Sequence, residues 1–223
     1  SYVYANSPLT DAQAKAYTDA GFEVALHTAI SNGCGSWTFD GANTIFTTQL
    51  GAFAAKYPSI PPPATNRTHC VTWDDWATEP KVELLHGVRL DTNYYAYPGS
   101  WIGNTPGFMT GSGIPMKFAD TDGSTIGVYQ AMTQMDDEAD QQYPATLNAL
   151  LDKALGADGY YGFFVANMHS DTALSPGSDA IIAAAQARGV PVISSKQLLE
   201  WLEARDDPGY RGELRVIMIN LGR

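Results

Sequence analysis

No apolar run in this sequence approaches the roughly 20 residues needed to span a bilayer, so no transmembrane helix is expected. Basic residues are scarce: 13 Lys and Arg stand against 24 Asp and Glu, for a formal net charge of −11. Neutralising phosphates takes clustered cations, and without a cluster a nucleic-acid partner is excluded. The same acidic balance disfavours anionic membranes and leaves neutral or cationic partners. Internal repeats and low-complexity tracts are also missing, which removes repeat architectures. Cysteine occurs only at Cys34 and Cys70. The pair reads as buried thiols, as one disulfide tying two loops, or as part of a Cys/His zinc site. The disulfide is the preferred reading, because abundant Tyr, Trp, Asn, Gly and Thr suit an exported protein and no C-x-x-C spacing supports zinc. The chain opens on "SYVYANSP" with neither Met nor a signal peptide, as expected of a processed or truncated form.

What is present is an ordinary globule. Its 223 residues are 44% hydrophobic and 17% charged, enough for one large domain or two small ones with a real core. Strand-like and helix-like patterns alternate. "SYVYA" is a short β run, and "SPLTDAQAKAYTDAG" is a helix with Thr10 or Ser7 as N-cap and Gly21 as its stop. "FEVALH" is a strand; "NTIFTTQLGAFAAKYP" puts Ile45, Leu50, Phe53 and Ala54 on one helical face and ends at Pro58. "PSIPPPATN" reads as a rigid spacer, "THCVTW" and "VRLDTNYY" as strands, and "WATEPKVELLHG" as holding a short helix. Residues 95–135 are loop-rich with a strand at "TIGVYQ". "DDEADQQYPATLNALLDKALG" is a helix at least from Pro144, followed by strand "YYGFFVANMH", helix "GSDAIIAAAQARG", strand "VPVIS" and helix "SKQLLEWLEAR", capped by Ser194 or Ser195.

Such alternation indicates parallel βαβ units, hence an α/β barrel or an open doubly wound sheet. In either, side chains at the carboxyl ends of strands face the functional rim. Among the four histidines, His27, His69 and His169 fall at or near such ends, as does Asp91; His86, in "ELLHG", reads as a cap favoured by the helix dipole. Residues 1–205 are expected to form one domain. The tail 206–223, with the strand-like "RGELRVIMINLGR", is an extension that reads as an extra edge strand or as sequence foreign to the domain.

With this order of elements, "DAGFEVALHT", "NRTHCVTWDD", "VRLDTNYY", "FFVANMHSD" and "PGSDAIIAAAQARGVPVISSKQLLEWL" resemble the polysaccharide deacetylases of the NodB-homology type, carbohydrate esterase family 4. More narrowly, the chain is similar to a divergent branch of large secreted bacterial proteins carrying a deacetylase-like module. The resemblance covers the chain to about Arg205 and implies an incomplete or distorted (β/α) barrel, a divalent metal and secretion or display at the cell surface. It implies His27 as a metal ligand, His169 as general acid, Arg67 as a wall of the groove and Asp91 as an orienting carboxylate. Two departures stand out. The family's second metal histidine, four residues after the first, is replaced by Ser31. Its first strand, ending "T-F-D-D" and supplying two acids, has no match, because "WTFDG" follows the His27 strand instead of preceding it.

A divalent metal polarises an acyl carbonyl and brings the pKa of its water to about 7, which hydrolyses amides or esters without a nucleophilic side chain. His69, on the neighbouring rim strand, is the substitute second ligand, with a cap beside Cys70 as its bland reading. Asp74 or Asp75 is a weaker source of the absent carboxylate. His169 would protonate the leaving group, oriented by Asp171 or Asp91. Tyr94, Tyr95, Tyr97, Trp101 and Phe108, set among Asn, Gly and Pro, suit stacking on sugar rings, or simply pack a loop. The expected activity is removal of acetyl groups from a glycan or small ester with a zinc-like divalent metal. The competitors are a carbohydrate-binding relic of the fold without activity, and a serine esterase using Ser112 of "MTGSGIP", which lacks the G-x-S-x-G elbow.

Overall fold

The computed structural model describes residues 1–29, 37–69, 76–93, 113–138, 141–157, 159, 162–169, 176–207, 209 and 217–220. The architecture is mixed α/β with mostly parallel strands, and it divides into two compact units. Ser1–Asn93 and Met116–Gln130 form the first; the described parts of 94–115 and 131–223 form the second.

In the first unit the order is β1 (Tyr2–Val3), α1 (Asp11–Asp19), β2 (Ala25–Thr28), α2 (Phe39–Lys56), β3 (Thr65–Thr68), α3 (Thr78–Leu85), β4 (Leu90–Asp91), β5 (Met116–Ala119) and β6 (Thr125–Gln130). The sheet runs β1-β2-β3-β4-β6-β5, parallel throughout except for the β5–β6 pair. Parallel neighbours need a long crossover, and α1, α2 and α3 supply the first three. Thr10 starts α1 through a reciprocal capping box with Gln13, and Gly21, at φ +89°, makes the turn after its end. Thr38 caps α2, so "TFDG" is a helix start, with Asp40 in the first turn where the dipole favours a carboxylate. The core joins Val24, Leu26, Phe53 and Tyr57 in one cluster and Trp37, Phe46, Val82 and Val88 in another. Strand β3 lies earlier than expected: it is "TNRT", and His69 falls just beyond it.

The second unit contains β7 (Thr133–Asp136), α4 (Ala145–Leu155), β8 (Phe163–Asn167), α5 (Pro176–Ala187), β9 (Val192–Ile193), α6 (Ser195–Asp206) and β10 (Ile217–Asn220). The sheet order is β7-β8-β10-β9, all parallel. Leu147, Leu150 and Leu151 of α4 and Ile181 and Ala185 of α5 pack on Met135, Phe164 and Ala166 of the sheet. Ser194 and Gln197 form the capping box of α6. Acidic residues at the head of the expected helix around 136–155 turn out differently: Asp136 ends a strand, and the helix begins at Ala145. The tail segment 217–220 is no edge strand, since it is paired on both sides, by β8 and by β9.

Candidate functional site

In the first unit the carboxyl ends of three adjacent strands bring three rings together. Parallel pairing sets Val3 against Leu26 and His27 against Arg67. Tyr4 follows β1, and His69 shares a face with Arg67 because side chains alternate along a strand. The His69 amide donates to the Thr28 carbonyl at 2.6 Å, carrying the ladder one step past β3. Ring centroids then lie 5.6 Å apart for His27 and His69, 4.9 Å for Tyr4 and His27, and 6.2 Å for Tyr4 and His69. The Tyr4 hydroxyl sits 3.2 Å from His69 Nδ1.

One hydrogen bond decides the chemistry of His27. Its Nδ1 lies 2.7 Å from the Arg67 carbonyl oxygen, and a carbonyl only accepts. The proton of the neutral ring therefore resides on Nδ1, and Nε2 carries the lone pair, the arrangement in which histidines bind metals. His69 reaches the same state when Nδ1–H donates to the Tyr4 oxygen. Two imidazoles on one face are donors of the type a divalent metal such as zinc takes, and a zinc site needs at least three ligands. Asp74 and Asp75 lie outside the described residues.

Arg67 itself is buried, with its guanidinium donating to the Thr92 carbonyl at 2.7 Å. Its contribution to the rim is its main-chain oxygen on His27. Asp91 is fully buried and faces Glu79 and Glu83, as its position at the end of β4 beneath α3 dictates. His86 ends α3, its Nε2–H donating to Asn43 Oδ1 at 2.8 Å while the ring stacks on Phe46, a structural role.

In the second unit, β7 and β8 deliver a different set. Asp136 pairs in register with Asn167, which places Asp137 and His169 just beyond the two strand ends. His169 Nδ1 lies 2.6 Å from Asp137 Oδ1, and the His169 amide donates to the other oxygen at 2.8 Å. Asp136 accepts from Asn167 Nδ2 at 2.9 Å and from the Glu138 amide at 2.7 Å. Partial burial works against a charged His169, but the hydrogen bond and charge of Asp137, with Glu138 and Asp136, outweigh it and hold its pKa above the ordinary value. The carboxylate on His169 is therefore Asp137, a residue the sequence reading passed over; the signal was the Asp136-Asp137 pair directly after an apolar-polar alternation. Asp171, the other expected partner, lies outside the described residues, as do Cys34, Cys70, Tyr94, Tyr95, Trp101 and Ser112.

No helix among the described residues is long and apolar enough to cross a membrane. No protein-family model, no curated protein and no solved structure matches the chain.

Proposed function

We propose that this chain is a metal-dependent hydrolase that removes acyl groups, acetyl foremost, from a glycan or small ester. The observation that carries the reading is the Arg67 carbonyl fixing the proton of His27 on Nδ1, with the His69 ring beside it. His27 and His69 would hold the metal, and Tyr4 would orient His69. When bound, the metal supplies Lewis acidity toward an acyl carbonyl and a water more acidic than bulk. The chain's own part is to present two neutral imidazoles and to supply a proton. An amine or alkoxide leaving group needs that proton; the resemblance gives this role to His169, whose pKa Asp137 raises within the second unit. The resemblance to deacetylases adds the incomplete or distorted barrel as the architectural premise and an exported, surface-associated setting; composition adds Tyr94, Tyr95 and Trp101 as a sugar-stacking platform and a Cys34–Cys70 disulfide. The buried Arg67 supports the rim through its carbonyl on His27, and neither it nor the buried Asp91 is a group that touches substrate.

The test combines metal analysis with turnover. Purified protein should carry a stoichiometric transition metal that His27→Ala abolishes, and hydrolyse acetylated chitooligosaccharides or an aryl acetate in a chelator-sensitive way. Full activity after chelation overturns the proposal. A metal-free chain that still binds acetylated glycans favours the binding relic instead, and labelling at Ser112 by a fluorophosphonate favours the serine esterase.

A further inference from the structure

The first unit also holds a second group that the proposed hydrolysis does not use. Glu79 and Glu83, one helical turn apart on α3, meet Asp91 at the end of β4, and each of the three offers an oxygen within 4.8 Å of the others. Glu79 is 2% exposed, and Glu83 and Asp91 are 0% exposed. The fold holds one oxygen of each carboxylate. Thr68 Oγ1 donates to Glu79 at 2.7 Å, Asn66 Nδ2 to Glu83 at 2.8 Å, and the Asn93 amide to Asp91 at 2.5 Å. The remaining oxygens of Glu83 and Asp91 have no hydrogen-bond partner among the described residues. An unpartnered buried carboxylate oxygen is costly, and two of them in one acidic cluster call for a cation or for protons.

We propose that Glu79, Glu83 and Asp91 form a buried calcium site that stitches α3 to the sheet of the first unit. Fully ionised, the cluster carries three negative charges against one positive group acting on it, the Arg67 guanidinium, and a divalent ion balances the excess. The donors are all oxygen, which selects hard cations over zinc or copper. Coordination habit then selects among those. Magnesium keeps several waters and demands near-octahedral geometry, whereas calcium accepts an irregular, protein-built set of carboxylate oxygens, which is what a fully buried cluster offers.

Without the ion the balance is met by protons. Burial, joined by the charge of Asp91, pushes Glu79 to about 8 and Glu83 well above its ordinary value, and burial raises Asp91 to about 6. The charged groups named here, from α3, β3 and β4, are those that face the site among the described residues. Calcium therefore enters by displacing protons, and its affinity rises with pH. Because all three carboxylates are covered, exchange waits on the opening of α3 and is slow.

The experiment uses the full chain, stripped with chelator and titrated with calcium chloride alone by calorimetry in two buffers of different ionisation enthalpy. One calcium per chain, a net release of protons on binding and a rise in melting temperature are expected. Glu83→Gln and Asp91→Asn should each abolish that binding with the circular dichroism spectrum retained, while His27→Ala leaves it intact, which separates this site from the proposed hydrolytic metal. Absence of calcium binding to the wild-type chain overturns the proposal whatever the variants do. So does a calcium stoichiometry untouched by both substitutions, or tighter binding of magnesium.

Discussion

Asp137→Asn isolates the charge that acts on His169. Asparagine keeps the shape and one acceptor, so the His169 Nδ1–H still has a partner, but the negative charge 2.6 Å away is gone. A hydrogen bond to a charged group is worth about 1.5–3 kcal/mol when shielded. Here the His169 and Asp137 side chains are 37% and 23% exposed, so water screens the pair and about 1 kcal/mol is the fair figure. That corresponds to a drop of about 0.7 in the pKa of His169. Some elevation should survive, because Glu138, 4.0 Å away, and Asp136 also favour the cation. The sign for stability follows from the raised folded pKa. The pair's contribution is fully present below the unfolded value of about 6.5 and is lost as pH rises through the higher folded value. The variant should therefore be less stable than wild type by about 1 kcal/mol near pH 5.5 and indistinguishable well above the folded pKa. An NMR titration of the imidazole protons, with His169→Gln to identify the resonance, reads the pKa, and urea melts at two pH values read the stability. A titration midpoint that stays put or moves up in Asp137→Asn refutes the argument.

The other predictions concern the scaffold. Gly113 sits at φ +73°, and a Cβ there would meet the Phe163 carbonyl at 2.8 Å as well as the Gln134 amide, so Gly113→Ala should cost about 2 kcal/mol in denaturant melts. Ser194→Ala removes the hydroxyl that accepts from the Gln197 amide and should cost about 1 kcal/mol, recovered largely by Ser194→Asp. In calcium-free buffer, the buried carboxyls bind protons in the folded chain that they release when unfolded. Stability should thus fall as pH rises from about 4.5 toward 8, and Glu83→Gln should flatten the decline seen in thermal melts. Leu151→Ala, at the fully buried face of α4, should cost about 3 kcal/mol by the same melts.

Much of the architecture could be read from the chain because local signals agreed with the global arrangement. Thr10 and Ser194 are followed three residues later by glutamine, and both start helices as capping boxes. Strands β2 and β8 are apolar runs, and their last residues led directly to His27 and His169. Strand β3 was hidden because "TNRT" has no apolar residue, yet all four side chains are buried. Its polar atoms are met by groups distant in sequence: Thr65, Asn66 and Thr68 by the side chains of Glu23, Glu83 and Glu79, and Arg67 by the main-chain carbonyl of Thr92. Patterns of hydrophobicity cannot announce burial that rests on such long-range pairing. The same reason kept the acidic cluster out of sight, since "TEPKVELL" reads as an ordinary solvated helix until Asp91 is placed beneath it. Asp137 was missed differently, through a run of acids that suggested a helix start where a strand ends.

Strand β10 has a consequence for how the second unit is made. It is the last in sequence of the described strands, yet it lies between β8 and β9, which are already synthesised when 217–220 leaves the ribosome. Until then the facing edges of β8 and β9 have no native partner, and exposed edges invite pairing with other chains. The unit is thus assembled like an arch around its keystone: the sheet closes only once residues 217–220 are in place, and a nascent or nicked chain ending before residue 217 is sticky along those two edges.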